Sequence, residues 1–533
     1  MRASSVGRTS TSAPDLPIPH NPVALAGVRA RMAALVRPSL SDWLFAALLG
    51  WLFVAGYGWS GLLADGDTGW HIRAGEFILD HGRLPSADPF SFTRVGERWF
   101  AWEWLSDVVF AVCHRMAGLK GVVLLAGAVI AGYLTLLARH MAWRGANALL
   151  ALAFCLVGAG ASGIHYLARP HIFTLLLLTI SLWLVDADRR QPTRAVWLLA
   201  PLTALWANLH GGFVALLVSL ALLAAGTGIE MRWATGSWMA AWRGARRLLA
   251  LLAGCTAATL ANPYGIGLHW HLAEYLKSDW IRQAVDEFQS PKFRSESALQ
   301  FEILLFAGLI LAGTLLRRRQ VADALLVVAW AHAALVSVRH IPVFVVAACP
   351  ILAAEASRCW AEWAGRRPKR SAARILDAVA ADFAPGLRRS SLWPAALVLG
   401  LALAGAPLRW PSDFPAVKFP VDLVGRRQGK LAGARVFTSD QWGDYLLYRF
   451  YPRQRVFIDG RSDFYGPALG KLYLRVAYGH PEWRPTLQRY WVEMVLAPQD
   501  WPLAGTLRQD PGWRLVEEDT LAALFERVAP TGR

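Results

Sequence analysis

Residues 122–137 read VVLLAGAVIAGYLTLL, a stretch without a single charge. With its flanks it is long enough to cross ~30 Å of hydrocarbon as a helix. The same is true of 149–163, 173–185, 213–225, 303–316 and 324–338. In a chain of 533 residues that is 55% hydrophobic, only 17% charged and carries 26 Trp, such runs define an α-helical polytopic membrane protein. The net charge of +17 would suggest nucleic acid in a soluble protein. Here the positive residues sit in short loops between apolar runs, where topology accounts for them, so membrane lipids and no nucleic acid are the expected surroundings.

Working outward, spans are expected near 40–63, 119–138, 146–163, 166–185, 195–208, 213–229, 247–262, 300–316, 321–338, 341–357 and 393–408, about 11 transmembrane helices. Alternate loops carry the arginines: Arg139 and Arg144; Arg189, Arg190 and Arg194; Arg232, Arg243, Arg246 and Arg247; Arg317, Arg318 and Arg319; then a basic cluster over 358–389. The positive-inside rule puts these loops in the cytoplasm, and an odd number of spans puts the C-terminus outside. The expected setting is a multi-pass inner (plasma) membrane with the N-terminus cytoplasmic and the C-terminal region periplasmic or extracellular. Residues 1–38, rich in Ser, Thr, Pro and Arg with no apolar core, read as a flexible basic tail without a cleavable signal.

The membrane domain is expected over 39–408, with a first outer loop at 64–118. Residues 409–533 alternate strand-like and helix-like patterns: 435–438, 442–450, 455–458, 467–478, 483–490, 493–496, 514–517 and 522–527. They predict an extracytoplasmic α/β domain of short strands bounded by Gly, Pro and Asp. Cys113, Cys155, Cys255, Cys349 and Cys359 lie mostly in apolar stretches without paired spacing, which argues against a disulfide framework or a CxxC metal site.

The polar chemistry gathers on the outer face. The first outer loop opens Asp65-Gly66-Asp67-Thr68-Gly69-Trp70-His71. Carboxylates at i and i+2 can share a divalent cation (Mg or Mn), or one can act as a base while the other orients it; a solvated turn is the bland alternative. The loop continues as an amphipathic helix ended by Gly82 and leads to Trp102-Glu103-Trp104. Four further outer turns bring polar groups to the same level: Arg169-Pro170-His171, Asn208-Leu209-His210, Asn262-Pro263-Tyr264 and Arg339-His340-Ile341. One Arg or His at a helix end commonly snorkels or caps. Their recurrence on one face predicts a shared polar cavity, because ionisable groups at membrane depth are costly. Arg169 and Arg339 suit a phosphate, His71, His171, His210, His340, Asn208 and Asn262 suit sugar hydroxyls or phosphate oxygens, and the surrounding Trp, Leu and Phe suit an isoprenoid tail. A lipid-linked sugar needs all three together. The turn Asp459-Gly460-Arg461-Ser462-Asp463 could bind carbohydrate, although an Asp–Arg bridge shaping the loop is the simpler account.

These stretches carry a resemblance. DGDTGWHIRAGEFILDHGRLPSADPFSFT (65–93), WEWLSD (102–107), LARPHIFTLLLL (167–178), LWANLHGGF (205–213), LANPYG (260–265), SVRHIPVF (337–344), VFTSDQWGDYLLYRF (436–450) and VFIDGRSDFYG (456–466) resemble a large family of bacterial multispanning proteins. That family is similar to the GT-C glycosyltransferases, which include protein O-mannosyltransferases, oligosaccharyltransferases and aminoarabinose transferases. The resemblance covers nearly the whole chain from about residue 40 onward. It implies a GT-C-like membrane fold, a polyprenyl-phosphate-linked sugar as donor, and a carboxylate of the first outer loop acting on an extracytoplasmic acceptor (glycan, lipid or protein). Asp65 and Asp67 match the loop carboxylates, and Glu103 matches a Glu usually preceded by His; here Trp102 precedes it, and Gly69 replaces a frequent Trp. The catalytic set so implied is Asp67, Asp65 and Glu103.

The expected activity is inverting sugar transfer with a loop Asp as base. One alternative is a ligase or phosphotransferase moving a glycan or phosphoalcohol from the lipid carrier. A second is a non-catalytic transporter or scaffold for envelope polysaccharide, against which stand the absence of repeated halves and the position of the charges at helix ends.

Overall fold

The structure is a computed structural model that describes residues 35–54, 58–404 and 410–528. Most of the basic tail expected over 1–38 lies outside these residues, as do 55–57 within the first expected span and the end of the last. The described chain is predominantly helical, with a small sheet near its C-terminus.

Six helical stretches among the described residues are long and apolar enough to cross a membrane, where eleven spans were expected: Trp104–Arg144, Ala148–His165, His171–Arg190, Gly211–Thr235, Ala298–Arg317 and Val338–Gly365. Four shorter apolar helices accompany them, Leu40–Val54, Ala195–Leu209, Val321–Val336 and Trp393–Leu403. The helix Trp238–Ala258 takes the place of the span expected over 247–262 but carries Arg243, Arg246 and Arg247. Several of the arginines that suggested orientation are paired. Arg144 and Arg189 converge on Asp186 and Asp323, and Arg247 lies 2.6 Å from Asp188. These bridges tie the helix ends opposite the outer turns. All five cysteines are unpaired.

The helix Trp104–Arg144 is two helices meeting at Ala117 and Gly118, where φ of Gly118 is +62°. A side chain at that φ would be strained, so the glycine permits the bend. Its first part belongs with the outer loop. Against it packs the amphipathic helix Asp67–His81, which ends at Gly82 in the left-handed conformation, as its sequence predicts. A methyl group on Gly75 would overlap the carbonyl oxygen of Asp107, so the two helices approach backbone to backbone there.

The C-terminal region has four strands, β1 (Val436–Thr438), β2 (Met494–Pro498), β3 (Trp513–Glu518) and β4 (Ala522–Arg527), in the order β1-β2-β4-β3. β1 and β2 are parallel and the other pairings antiparallel. The segment 455–458, expected as a strand, contributes only bridges at Val456, to Ser91 of the outer loop and to Val436. It is shared between loop and sheet, which keeps it from extending a ladder on either side. The helix Asp440–Phe450 lies across Asp67–His81, where Cβ atoms on Gly66 and Gly69 would collide with the backbone of Gln441 and Asp444.

Gly75→Ala is expected to lower stability by about 1–3 kcal/mol, because the new methyl meets backbone that cannot swing away. Gly132→Ala, in the helix Trp104–Arg144 with nothing within 4 Å of its Cβ position, is expected to be neutral or stabilising. Thermal unfolding of the two variants in detergent checks the contrast.

Candidate active site

The loop carboxylates and the outer turns converge. Asp65, Asp67, His71, Glu103, Arg169, His171, His210 and Arg339 line one cavity of about 480 Å³ between the bundle, the outer loop and the C-terminal region. His340 lines a smaller adjoining cavity. Asn208 and Asn262 line neither: Asn208 bonds Trp104, Ala204 and Ala261, and Asn262 bonds Thr259, Tyr264 and Gly265 within its own turn. Their polar groups are consumed in holding loops together.

Arg169 organises the floor. Its guanidinium meets Asp65 at 2.9 Å, Asp67 at 2.7 Å and Glu287 at 2.6 Å. Asp65 also accepts the N–H of Asp67 at 2.9 Å, starting the helix Asp67–His81. Burial pushes the Asp67 carboxyl up to about 8, against the pull of Arg169 and with Asp65 adding to it. Burial would raise Glu287 too, but Arg169 beside it prevails and holds it below the usual carboxylate range. Asp65 and Asp67 already hold one cation, and among the described residues no group of three or more His, Cys, Asp and Glu side chains is placed to bind a metal.

Glu103 sits between two imidazoles, 3.9 Å from His71 Nε2 and 3.5 Å from His210 Nε2. His210 Nδ1 accepts the N–H of Gly212 at 3.0 Å, so its ring proton is on Nε2, facing Glu103. The far side of His71 is fixed by a 2.6 Å contact from Nδ1 to Asp107. Burial keeps both histidines neutral, holding His71 and His210 well below the usual range, and pushes Glu103 up to about 8.

Arg339 is different from Arg169. It stacks over Phe288 at 4.4 Å and Tyr275 at 5.9 Å, and its buried Nη1 has no hydrogen-bond partner. It stands where the polar cavity meets the second one, of about 150 Å³, whose walls include Leu175, Val214, Ala215, Leu272, Trp330 and Val343. The arrangement therefore offers a guanidinium with one unpartnered nitrogen where a polar cavity meets an apolar one.

The simpler account of the turn at 459–463 holds. Arg461 lies 2.6 Å from Asp459 and 2.9 Å from Asp88, enclosed by Phe90, Trp99 and Phe464. It clamps the outer loop to the C-terminal region. Sequence reasoning missed Glu287, Asp440, Gln441 and Asp444. Asp440 and Gln441 line the cavity, and Asp444 packs under Gly66 and Gly460. Burial, partly offset by the backbone N–H of Gln441, pushes Asp440 up to about 6. The i, i+4 spacing of Asp440 and Asp444 in SDQWGD placed them on one helical face; nothing marked Glu287.

No protein-family model matches the chain, and no curated protein matches its sequence. Among solved structures it is similar to the oligosaccharyltransferase of Archaeoglobus fulgidus, crystallised tethered to an acceptor peptide containing the NVT sequon. The TM-score is 0.51 at 13% identity, over 88% of this chain and 69% of that one. ArnT from Cupriavidus metallidurans, solved bound to undecaprenyl phosphate, aligns over 92% of this chain and 99% of its own at 14% identity, with a TM-score of 0.49. Both are GT-C glycosyltransferases. The likeness to the oligosaccharyltransferase is one of fold, and it establishes the GT-C-like architecture that the sequence resemblance implied.

Replacing Arg169 with Met is expected to cost about 3–5 kcal/mol at neutral pH, because buried carboxylates lose their cation. The sign with pH follows from Glu287. Its lowered folded-state pKa gives the native protein stability that is present above the unfolded value of about 4 and lost as pH falls below it. The gap between wild type and variant should therefore narrow in acid, which melting curves across pH will show.

Proposed function

We propose that the chain is a membrane glycosyltransferase that moves a sugar from a polyprenyl-phosphate donor to an extracytoplasmic acceptor. The observation that carries this reading is Arg339, a guanidinium with a buried unpartnered nitrogen at the junction of a polar chamber and an apolar groove. A phosphate would complete its hydrogen bonds, the isoprenoid would follow the apolar walls, and the sugar would sit in the polar chamber. Asp67 is assigned as the base, with Asp65 orienting it and Glu103 in the same chamber. The acceptor oxygen or nitrogen attacks the anomeric carbon as its proton passes to Asp67. The bond from that carbon to the phosphate oxygen breaks, and polyprenyl phosphate departs with the electron pair, inverting the centre. Arg339 stabilises the charge gathering on the leaving phosphate.

The topology that serves this reaction has the four shorter apolar helices and Trp238–Ala258 crossing as well, eleven crossings in all, with the chamber on the outer face. Alkaline phosphatase fused after residue 528 is expected to be active and fused after Arg319 inactive; the reverse pattern would place the chamber in the cytoplasm.

Mass spectrometry of lipids that co-purify in detergent is expected to find a polyprenyl phosphate or its glycoside, and finding neither would count against the donor. Asp67→Asn should abolish transfer while the lipid still co-purifies, because an amide cannot take up the proton. Arg339→Ala should weaken retention of the lipid. With Asp67 protonated below about 8, kcat/KM should climb with pH through that region, since the base works only when ionised.

A further inference from the structure

Asp444 is one of the most deeply enclosed charged side chains of the molecule, 0% exposed, and the chemistry assigned above leaves it unused. It belongs to the helix Asp440–Phe450 of the C-terminal region, yet it packs against Gly66 and Gly69 at the start of the outer-loop helix. Its Oδ1 accepts the backbone N–H of Gly460 at 3.0 Å. Its Oδ2 is buried with no hydrogen-bond partner, and so is Oδ1 of Asp67. Both orphan oxygens press on one point: a methyl group on Gly460 would overlap Asp67 Oδ1 and come within 3.0 Å of Asp444 Oδ2. Gly460 is needed for this close approach. Two acceptors with nothing between them repel each other, whereas a proton on one of them turns the pair into a hydrogen bond.

Resting on the assignment of Asp67 as base, we propose that Asp444 is a positioning residue, a protonated carboxylic acid whose Oδ2–H donates to Asp67 Oδ1, favouring the ionised form of Asp67 and orienting it for transfer. The remaining surroundings agree on which partner keeps the proton. Asp67 faces Arg169 at 2.7 Å, together with the acids Asp65, Glu287 and Asp440. Asp444 faces Asp67, Asp459 and Asp440, and the one contact favouring its charge is the N–H of Gly460. The cation thus lies on the Asp67 side, and the proton belongs on Asp444, whose carboxyl burial and the two neighbouring acids Asp67 and Asp459 push well up. The hydrogen bond in turn favours the charged form of Asp67, opposing the burial that would otherwise neutralise it. During transfer the acceptor's proton goes to Asp67 Oδ2, and the Asp444 proton stays where it is.

Asp444→Asn and Asp444→Leu separate this role from a packing role. With Gly460 holding the acceptor oxygen of the amide, the Asn nitrogen falls where Oδ2 was and can still donate to Asp67. In purified full-length protein, infrared spectra taken above the pH at which Asp67 and Glu103 ionise should contain a protonated-carboxyl C=O band that vanishes in Asp444→Asn and shifts in Asp67→Asn. Transfer is followed as polyprenyl phosphate released from a total extract of polyprenyl-phosphate sugars, with a total membrane extract as acceptor. Asp444→Asn should keep kcat within about threefold of wild type. Asp444→Leu should lose about 100-fold in kcat at neutral pH with KM little changed, and should recover at alkaline pH as its activity limb moves upward. A missing band, or an Asp444→Leu limb that stays at the wild-type pH, would overturn the proposal. If wild type keeps the band but releases no polyprenyl phosphate, the glycosyl-transfer reading falls and the shared proton stands.

Discussion

One buried guanidinium sets the terms for the half of this molecule that holds the cavity. Arg169 enters the bundle from the turn that precedes the helix His171–Arg190, and taking such a charge out of water costs several kcal/mol unless it is matched. The matching carboxylates, Asp65, Asp67 and Glu287, come from two segments far apart in sequence. The outer-loop helix must therefore start where it does, and the segment around Glu287 must fold back over the bundle. What results is a chamber with fixed walls and a net acidic floor, beside which the second arginine, Arg339, is left for something else to satisfy.

The C-terminal region is joined to that chamber by two devices of different physical kind. Glycines at 66, 69 and 460 allow backbone and carboxylates to approach more closely than any side chain would permit. Arg461 adds a buried ionic and aromatic clamp on Asp88, Phe90 and Trp99. Close packing supplies geometry, and the clamp fixes the loop so that the geometry persists. The α/β region is thereby part of the site's wall, with Asp440, Gln441 and Gly460 facing the cavity.

The long spans were legible because apolar, uncharged runs of this kind have few other ways to fold. The shorter apolar helices were likewise expected, near 40–63, 195–208, 321–338 and 393–408, whereas the bend at Gly118 was not, since it depends on packing that hydropathy does not encode. The convergence of Asp67, Glu103, His171, His210 and Arg339 was readable from the recurrence of polar groups at helix ends. Asn208 and Asn262 misled because an asparagine in a turn has backbone partners within reach. Glu287 and Asp444 were invisible for a simpler reason: Gly66 bonds Gln441 across 375 positions, and no local pattern announces a contact of that span. The motifs around 436–466 resembled the same family as the first loop, which linked the two regions without saying that they touch.

That separation has a consequence for biogenesis. Translation delivers the loop carboxylates early and the residues that enclose them last, after every apolar helix in between has been threaded into the bilayer. Until Asp440–Phe450 and the turn at Gly460 dock, Asp67 lies in an open, hydrated groove where an ordinary carboxylate would be content. The enclosure that raises the Asp67 carboxyl is thus completed only at the end of synthesis, and a chain whose translation stops before Asp440 lacks the residues that close over it.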